Sequence, residues 1–468
     1  MKNSNTPRRL DLSEEALPRT LWSLAAPAIT ENLLITVVFF SDTLIIGWLH
    51  DEMSLASAVL AATVMWVVSS PFYALAVAAT SLVARSWGEH EFTRARDYAA
   101  QSLGLALAFS LATLLIAWPM TEQMLRLMGG EPQVARLGGQ YLRILLLSSL
   151  LGLPMFVSNG IIRGMGDTKT PMYLSLIMNV INVIVSVALA FGFGPVPAMG
   201  LMGVAWGTVA ARSAGGLLSL RVLNHRDAHL RVPIASWFVF SRELLRRVWR
   251  LAFPAFMERV VNSGSHIIFI WIVAMLGTTA LAAHNIALHV ESLAYMPAMG
   301  AGMAIATLVG QAIGARVPHI AEKGVRKTLW WIGIFTVALG LSFVAFARHL
   351  VLIFGATPPV LHLAGIVLQI SALELPLMAF AMVLAGALRG AGDAKSPLYV
   401  MTINILIFRF GGSYLFGVIL GWGLAGIWVA TALDWGGRSL GLWWVFRHGG
   451  WALIHEREKR EFEQSKSL

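Results

Sequence analysis

Apolar residues run through this chain in long unbroken stretches. Twelve of them reach the roughly 20 residues that a bilayer-crossing helix needs. They lie near 21–48, 55–84, 98–119, 138–161, 171–193, 199–221, 249–276, 280–310, 328–348, 362–387, 397–420 and 424–446. Membrane strands would alternate apolar and polar residues over about ten positions. These runs are longer and continuous, so the pattern predicts helices. The first run, Leu21–Leu49, is broken only by Glu31, Asn32 and Asp42, and follows a polar segment, Met1–Thr20. It exceeds the roughly 7–15 apolar residues of a signal peptide and reads as an uncleaved first span.

The chain repeats itself. Arg163–Pro171 reads RGMGDTKTP and Arg389–Pro397 reads RGAGDAKSP, an offset of 226. At the same offset Ser81–Gly88 matches Thr307–Gly314, and Leu127–Val134 matches Ile353–Val360. Leu24–Glu31 (LAAPAITE) matches Leu251–Glu258 (LAFPAFME) at 227, and Gly200–Thr208 matches Gly423–Thr431 at 223. Five blocks in one order divide the spans into two sets of six. An even number per half makes the repeat parallel, with a pseudo-twofold axis along the membrane normal. The expected organisation is an all-α integral membrane protein. Residues 1–222 form an N-terminal six-helix lobe, 223–247 a cytoplasmic linker, 248–448 a C-terminal six-helix lobe and 449–468 a cytoplasmic tail.

Composition agrees with membrane burial. Hydrophobic residues make up 57% of the 468, charged residues only 13%, and mean hydropathy is +0.69. Soluble domains carry roughly 25% charged residues, so a soluble enzyme, a secreted domain and a disordered chain are excluded. The absence of Cys excludes disulfides and thiolate chemistry. The net charge of +10 is a topology signal, because 27 of the 35 Lys and Arg fall on one side of the predicted spans. The opposite loops hold Arg126, Arg136 and Arg348. Basic loops stay cytoplasmic, so both termini are expected there and no nucleic-acid partner is implied.

The repeated blocks resemble the multidrug and toxic compound extrusion (MATE) family, bacterial type, over nearly the whole chain. RGMGDTKTP after span four, RGAGDAKSP after span ten, LAAPA and SDTLIIG in span one, and LAAHNIALHVESLAYMP with ATLVGQAIGA in span eight carry the resemblance. It implies a secondary antiporter in the cytoplasmic (inner) membrane, working by alternating access. Organic compounds, often cationic and amphipathic, would leave in exchange for protons or sodium ions. No cofactor and no enzyme activity are expected, and the chain should act as a monomer in the lipid bilayer.

Charges inside a bilayer are costly and tend to line cavities or relays. Six acids fall within spans: Glu31, Asp42, Glu258, Glu291, Glu374 and Asp434. Glu31 and Asp42 are eleven residues apart, which puts them on one helix face about 16 Å from each other. Asp42 matches the family's first-span Asp. It reads either as a carboxylate whose protonation or cation occupancy switches span one, or as an interface Asp bonded to Ser41 or Thr43. Glu31 and Glu258 are repeat equivalents in P-x-x-x-E. The resemblance offers Glu258 a sodium-coupling role; the other reading has both bonded within the protein. Glu374 in ALELP either joins a cation cavity or pairs with Arg409. His284 and Glu291 share a face of span eight and are relay candidates. His284 stands near the outer membrane edge, where a hydrated histidine is ordinary. Asp434 and Arg438, at i and i+4, read as a local ion pair. Metal binding reduces to a sodium ion at Asp42 or Glu258.

Span five shifts the ion choice. In sodium-binding relatives an Asp follows the Asn of N-x-x-x-D; here Ser186 stands four residues after Asn182. Hard cations favour carboxylate among their oxygens, so protons are favoured. Asn182 can still share a cavity with Asp42. Walker A, H-E-x-x-H and a believable G-x-S-x-G triad are absent from the sequence. The alternative function is a flippase for a lipid-linked saccharide, which would want several Arg or Lys in the cavity; the first half offers Arg143 and Arg212. Tags at both termini should be protected in sealed right-side-out cells and reachable in inverted vesicles. Opposite accessibility of the two tags would refute the even span count.

Overall fold

The structure is a computed structural model in which residues 10–225 and 231–451 are described. Lys2, Arg8, Arg9, Arg226 and the tail basics Arg457, Lys459, Arg460 and Lys466 lie outside the described residues. Twelve helices follow in order: α1 Leu17–Gly47, α2 Glu52–Gly88, α3 Phe92–Leu127, α4 Pro132–Gly164, α5 Lys169–Phe191, α6 Leu201–His225, α7 Arg242–Ala274, α8 Thr278–Gly314, α9 Pro318–Leu352, α10 Pro358–Gly390, α11 Lys395–Ile419 and α12 Gly423–His448. A 3₁₀ turn, Ser148–Leu150, interrupts α4. Helix α11 turns π-helical at Ile405–Gly412 and again at Leu415–Ile419. Among the described residues the β structure is an isolated bridge, Phe193–Val196.

The fold is the expected all-helical two-lobe architecture of twelve helices. Nine of the described helices are apolar enough over 18 residues to cross a membrane. The other three, α6, α7 and α12, carry charge inside them: Arg212 and Arg221, the run Arg242–Arg250, and Asp434 with Arg438. Most helices run past the apolar stretches that predicted them. The extra turns hold polar residues such as Arg94 and Asp97 in α3, and Lys323, Arg326 and Lys327 in α9.

Local chemistry sets the ends. The carboxylate of Asp51 accepts the amides of Met53 and Ser54 and caps α2. The two RG-x-GD turns share one construction. Gly166 (φ 91°) and Gly392 (φ 93°) adopt the left-handed conformation that glycine allows freely. Asp167 then accepts the Thr170 amide at 3.0 Å and its hydroxyl at 2.6 Å. Asp393 accepts the Ser396 amide at 2.9 Å and hydroxyl at 2.6 Å. Each turn therefore stops one helix and caps the next, which explains the repeated motif without phosphate chemistry.

Contacts gather the described residues into two compact units. One is Thr30–Phe256; the other is Leu10–Ile29 with residues 257–451. Helices α1 and α7 therefore each pass from one unit to the other, just after Pro27 and Pro254. In the second unit Leu17, Leu21, Leu24 and Ala28 of α1 pack into a core with α8, α9 and α10. The N-terminal segment before α1 is tethered there by Glu14 and Lys323. The hydrogen bond from the Lys323 ammonium holds the Glu14 carboxyl below its usual range. That tether is complete above the carboxylate range and is lost as the pH falls through it. The first unit has its own core, with Ile45, Ala61, Leu125, Leu142 and Val204.

Small residues let helices approach closely, as membrane packing requires. A Cβ on Gly386 of α10 would collide with the Gly302 carbonyl oxygen and lie 2.8 Å from its carbon. Gly386→Ala should therefore cost about 1–3 kcal/mol, read as a lower thermal midpoint in detergent. Gly365→Ala, whose Cβ meets nothing within 4 Å, should leave the midpoint unchanged or slightly raised.

Candidate functional site

Each unit buries its own set of ionisable side chains. In the first unit, Asp42 of α1 is half-buried. Asn182 Nδ2 on α5 donates to its Oδ1 at 3.1 Å, and Thr208 Oγ1 on α6 donates to its Oδ2 at 3.1 Å. Asn182 Nδ2 lies 3.2 Å from the Thr208 hydroxyl. The Arg212 guanidinium, one turn beyond Thr208, acts on Asp42 and on buried Tyr141. The Asn182 carbonyl oxygen and the Ser186 hydroxyl are buried and make no hydrogen bond. This close meeting depends on glycine. A Cβ on Gly207 would collide with Ser186 Oγ and sit 2.6 Å from its backbone nitrogen.

Near the RG-x-GD turns each unit holds a Glu–Arg pair. Arg163 Nη1 donates to both oxygens of Glu31 at 2.8 and 3.0 Å, and both side chains are buried. Arg389 Nη1 donates to both oxygens of Glu258 at 2.9 and 3.0 Å. This second pair is about one-fifth exposed, 22% and 21%.

The second unit has a larger cluster. Arg438 holds Asp434 in a bidentate pair at 2.7 and 2.6 Å. Arg409 reaches the same Asp434 at 2.9 Å from the π-helical part of α11. Its guanidinium also lies over the rings of Phe269 and Trp435. π-helical segments are rare and occur often at functional sites. Glu374 of α10 is fully buried, lies beside Glu291 of α8 within the field of Arg409, and neither of its oxygens makes a well-formed hydrogen bond. His284 is fully buried between Phe269 and Trp428, ring centroids at 5.3 and 5.6 Å, with no hydrogen bond at either nitrogen. Among the described residues no group of three or more His, Asp or Glu side chains could hold a metal ion. The three carboxylates here are interleaved with arginines instead.

The MatE family model matches residues 27–188 and again 254–415. The chain belongs to the MATE family. The two matches lie 227 residues apart, so the model fits each half of this MATE transporter in turn. The chain is 29% identical over 460 residues to a probable multidrug resistance protein NorM of Thermotoga maritima, covering 96% of this chain and 97% of that one. It is 26% identical to the uncharacterized transporter YisQ of Bacillus subtilis over 89% of its own length and 91% of the relative's. A crystal structure of a MATE protein in a bent conformation matches with TM-score 0.85 and 21% identity, covering 92% of this chain and 94% of that one. MATE members are transporters, and this chain is a transporter rather than an enzyme.

With that family in view, the acids singled out in the sequence fall into distinct settings. Asp42 and Asn182 meet. Glu31 and Glu258 do not join them; each bonds an arginine of its own unit. Glu374 and Glu291 meet each other. Arg409, a candidate partner for Glu374, pairs with Asp434 instead. His284 is buried and aromatic-packed rather than exposed, because Phe269 of α7 and Trp428 of α12 close over it. Thr208 was missed as a site residue; its only signal was a place in a repeated block. The second unit has no Asp42 counterpart, since the 227-residue offset puts Phe269 there.

Removing one partner of a buried ion pair leaves a charge uncompensated and costs about 3–5 kcal/mol. Arg163→Met should therefore lower the thermal midpoint strongly, and adding Glu31→Gln to it should recover part of the loss. Arg389→Met should cost less, because Glu258 is less buried than Glu31. Equal losses for the two pairs would show that burial does not set their worth.

Proposed function

We propose that this MATE transporter exports organic compounds, cationic and amphipathic, out of the cell in exchange for incoming protons. Sodium is the alternative coupling ion. The observation that carries this reading is the Asp42 setting. Its carboxylate takes hydrogen bonds from two other helices inside an apolar bundle. Taking up a proton or losing one changes those bonds, and so changes how α1 sits on α5 and α6. A ligand or proton shifts a two-state equilibrium only by binding the two states unequally, and Asp42 provides that inequality. Ser186, where a carboxylate would complete a sodium shell, supports protons.

The second unit supplies a further coupling candidate. Three ionised carboxylates, Glu291, Glu374 and Asp434, against Arg409 and Arg438 would leave one negative charge uncompensated away from water. One proton or one monovalent cation at Glu374 and Glu291 balances it. Glu31 and Glu258 act in this reading as tethers, with arginines in place of an ion. His284 packs beside the cluster and takes no proton-relay role. Arg212 is engaged by Asp42 and Tyr141, which supports cation export over a phosphate-binding flippase. The protein works as a monomer in the inner membrane with cytoplasmic termini.

Efflux of a cationic dye from proteoliposomes, with proton and sodium gradients imposed separately, tests this. A proton gradient should drive transport and a sodium gradient should not. Asp42→Asn should remain folded and lose at least roughly 90% of proton-driven efflux. Glu374→Gln should lose coupling while keeping counterflow, because counterflow needs only the conformational exchange. Unchanged efflux by folded Asp42→Asn would overturn the reading.

A further inference from the structure

A crevice of about 330 Å³ opens in the first unit between α2, α3 and the first half of α7. Val68 and Pro71 of α2, Phe109 and Thr113 of α3, and Trp249 and Phe253 of α7 line it. Its size is at the lower end for ligand cavities, roughly 300–1,000 Å³, and its walls are almost wholly apolar. The same face of α7 continues towards the helix start with Arg246 and Arg242, both exposed. At 3.6 residues per turn, Arg242, Arg246, Trp249, Phe253 and Phe256 fall within about 80° of one another. Arg246 and Phe253 are separated by about 10 Å along the axis. The opposite face, with Val248, Leu251 and Ala255, is buried.

The segment before α7 extends the pattern. The turn Ile234–Phe238 is pinned to α3 by buried Trp237 and by Gln101, whose side chain bonds Val239 and Ser241. That leaves Phe238 and Val239 exposed at 61% and 70%, just ahead of Arg242. Exposed Trp249 beside arginines at a helix start fits a membrane–water interface, where Trp is enriched.

We propose that this face of α7 binds an anionic glycerophospholipid from the leaflet in which α7 begins. Its phosphate sits at Arg242 and Arg246, and one acyl chain enters the crevice against Trp249 and Phe253. A lipid, rather than a soluble apolar ligand, is the fitting occupant because charge and apolar space follow one another along a helix that stands in a bilayer. The order, arginine then aromatic then crevice, is the order of headgroup, interface and chain. The occupant bridges α7 to α2 and α3, just before α7 leaves the first unit at Phe256.

Native mass spectrometry of the full chain, released from detergent with defined lipids, tests the site. Phosphatidylglycerol should be retained over phosphatidylethanolamine of the same chains. Each basic residue near an anionic lipid is worth about fivefold, so Arg242→Gln with Arg246→Gln should cut retention by about 25-fold. The double Lys variant should keep it. Ala112→Phe, which fills the crevice from α3, should also cut retention, and every variant should keep its lipid-free melting temperature. Equal retention of the two lipids, or retention unaffected by the double Gln variant, overturns the proposal. So does loss in the Gln variant without loss in Ala112→Phe, because surface charge would then account for everything. Glycerol phosphate displacing the lipid at equal concentration would overturn it too, since the crevice would then add nothing.

Discussion

A charge taken out of water must be compensated, and in this protein that constraint organises the helices around it. The Glu31–Arg163 and Glu258–Arg389 pairs show it at matched places in the repeat. Each bonds the end of an RG-x-GD helix to the helix that crosses between units. An uncompensated Glu there would cost several kcal/mol, so the arginine of the motif and the glutamate of P-x-x-x-E are effectively one feature. Their meeting fixes the later parts of α1 and α7 to their own units, immediately after Pro27 and Pro254 interrupt the backbone ladder.

The two units treat the rest of their buried charge differently. The first has a single carboxylate, Asp42, answered by amide, hydroxyl and guanidinium groups from α5 and α6. The second has three carboxylates and two arginines, with Asp434 taking both arginines. Glu374 is thereby left against another acid, Glu291. The π-helical stretch of α11 belongs to this arrangement, because it carries the Arg409 that reaches Asp434. The second repeat is thus a diverged copy, with Phe269 where the first has its acid and new acids on α8, α10 and α12.

Much of this was legible along the chain. Twelve apolar runs, two sets of six and the repeated turn motif follow from local periodicity and from what a bilayer permits, so the helices emerged close to where the runs lie. Their ends moved outward, since a helix need not stop where its apolar stretch stops. The charged spans α6, α7 and α12 were visible as acids and arginines in otherwise apolar runs.

What the sequence by itself determined is the list of buried charges and the helices that carry them; the bilayer makes each one expensive wherever its partner sits. Which charges meet was decided by tertiary structure alone. Glu31 and Arg163 are 132 positions apart, and Asp42 and Asn182 are 140 apart. No spacing rule reaches that far, because helix periodicity relates only residues on the same helix. Arg409 was within reach of two acids, and helix packing gave it to Asp434. His284 stood in a run that read as interfacial until Phe269 and Trp428 from other helices enclosed it. Compensation is a pairwise property in space, so it is settled only when the helices are brought together.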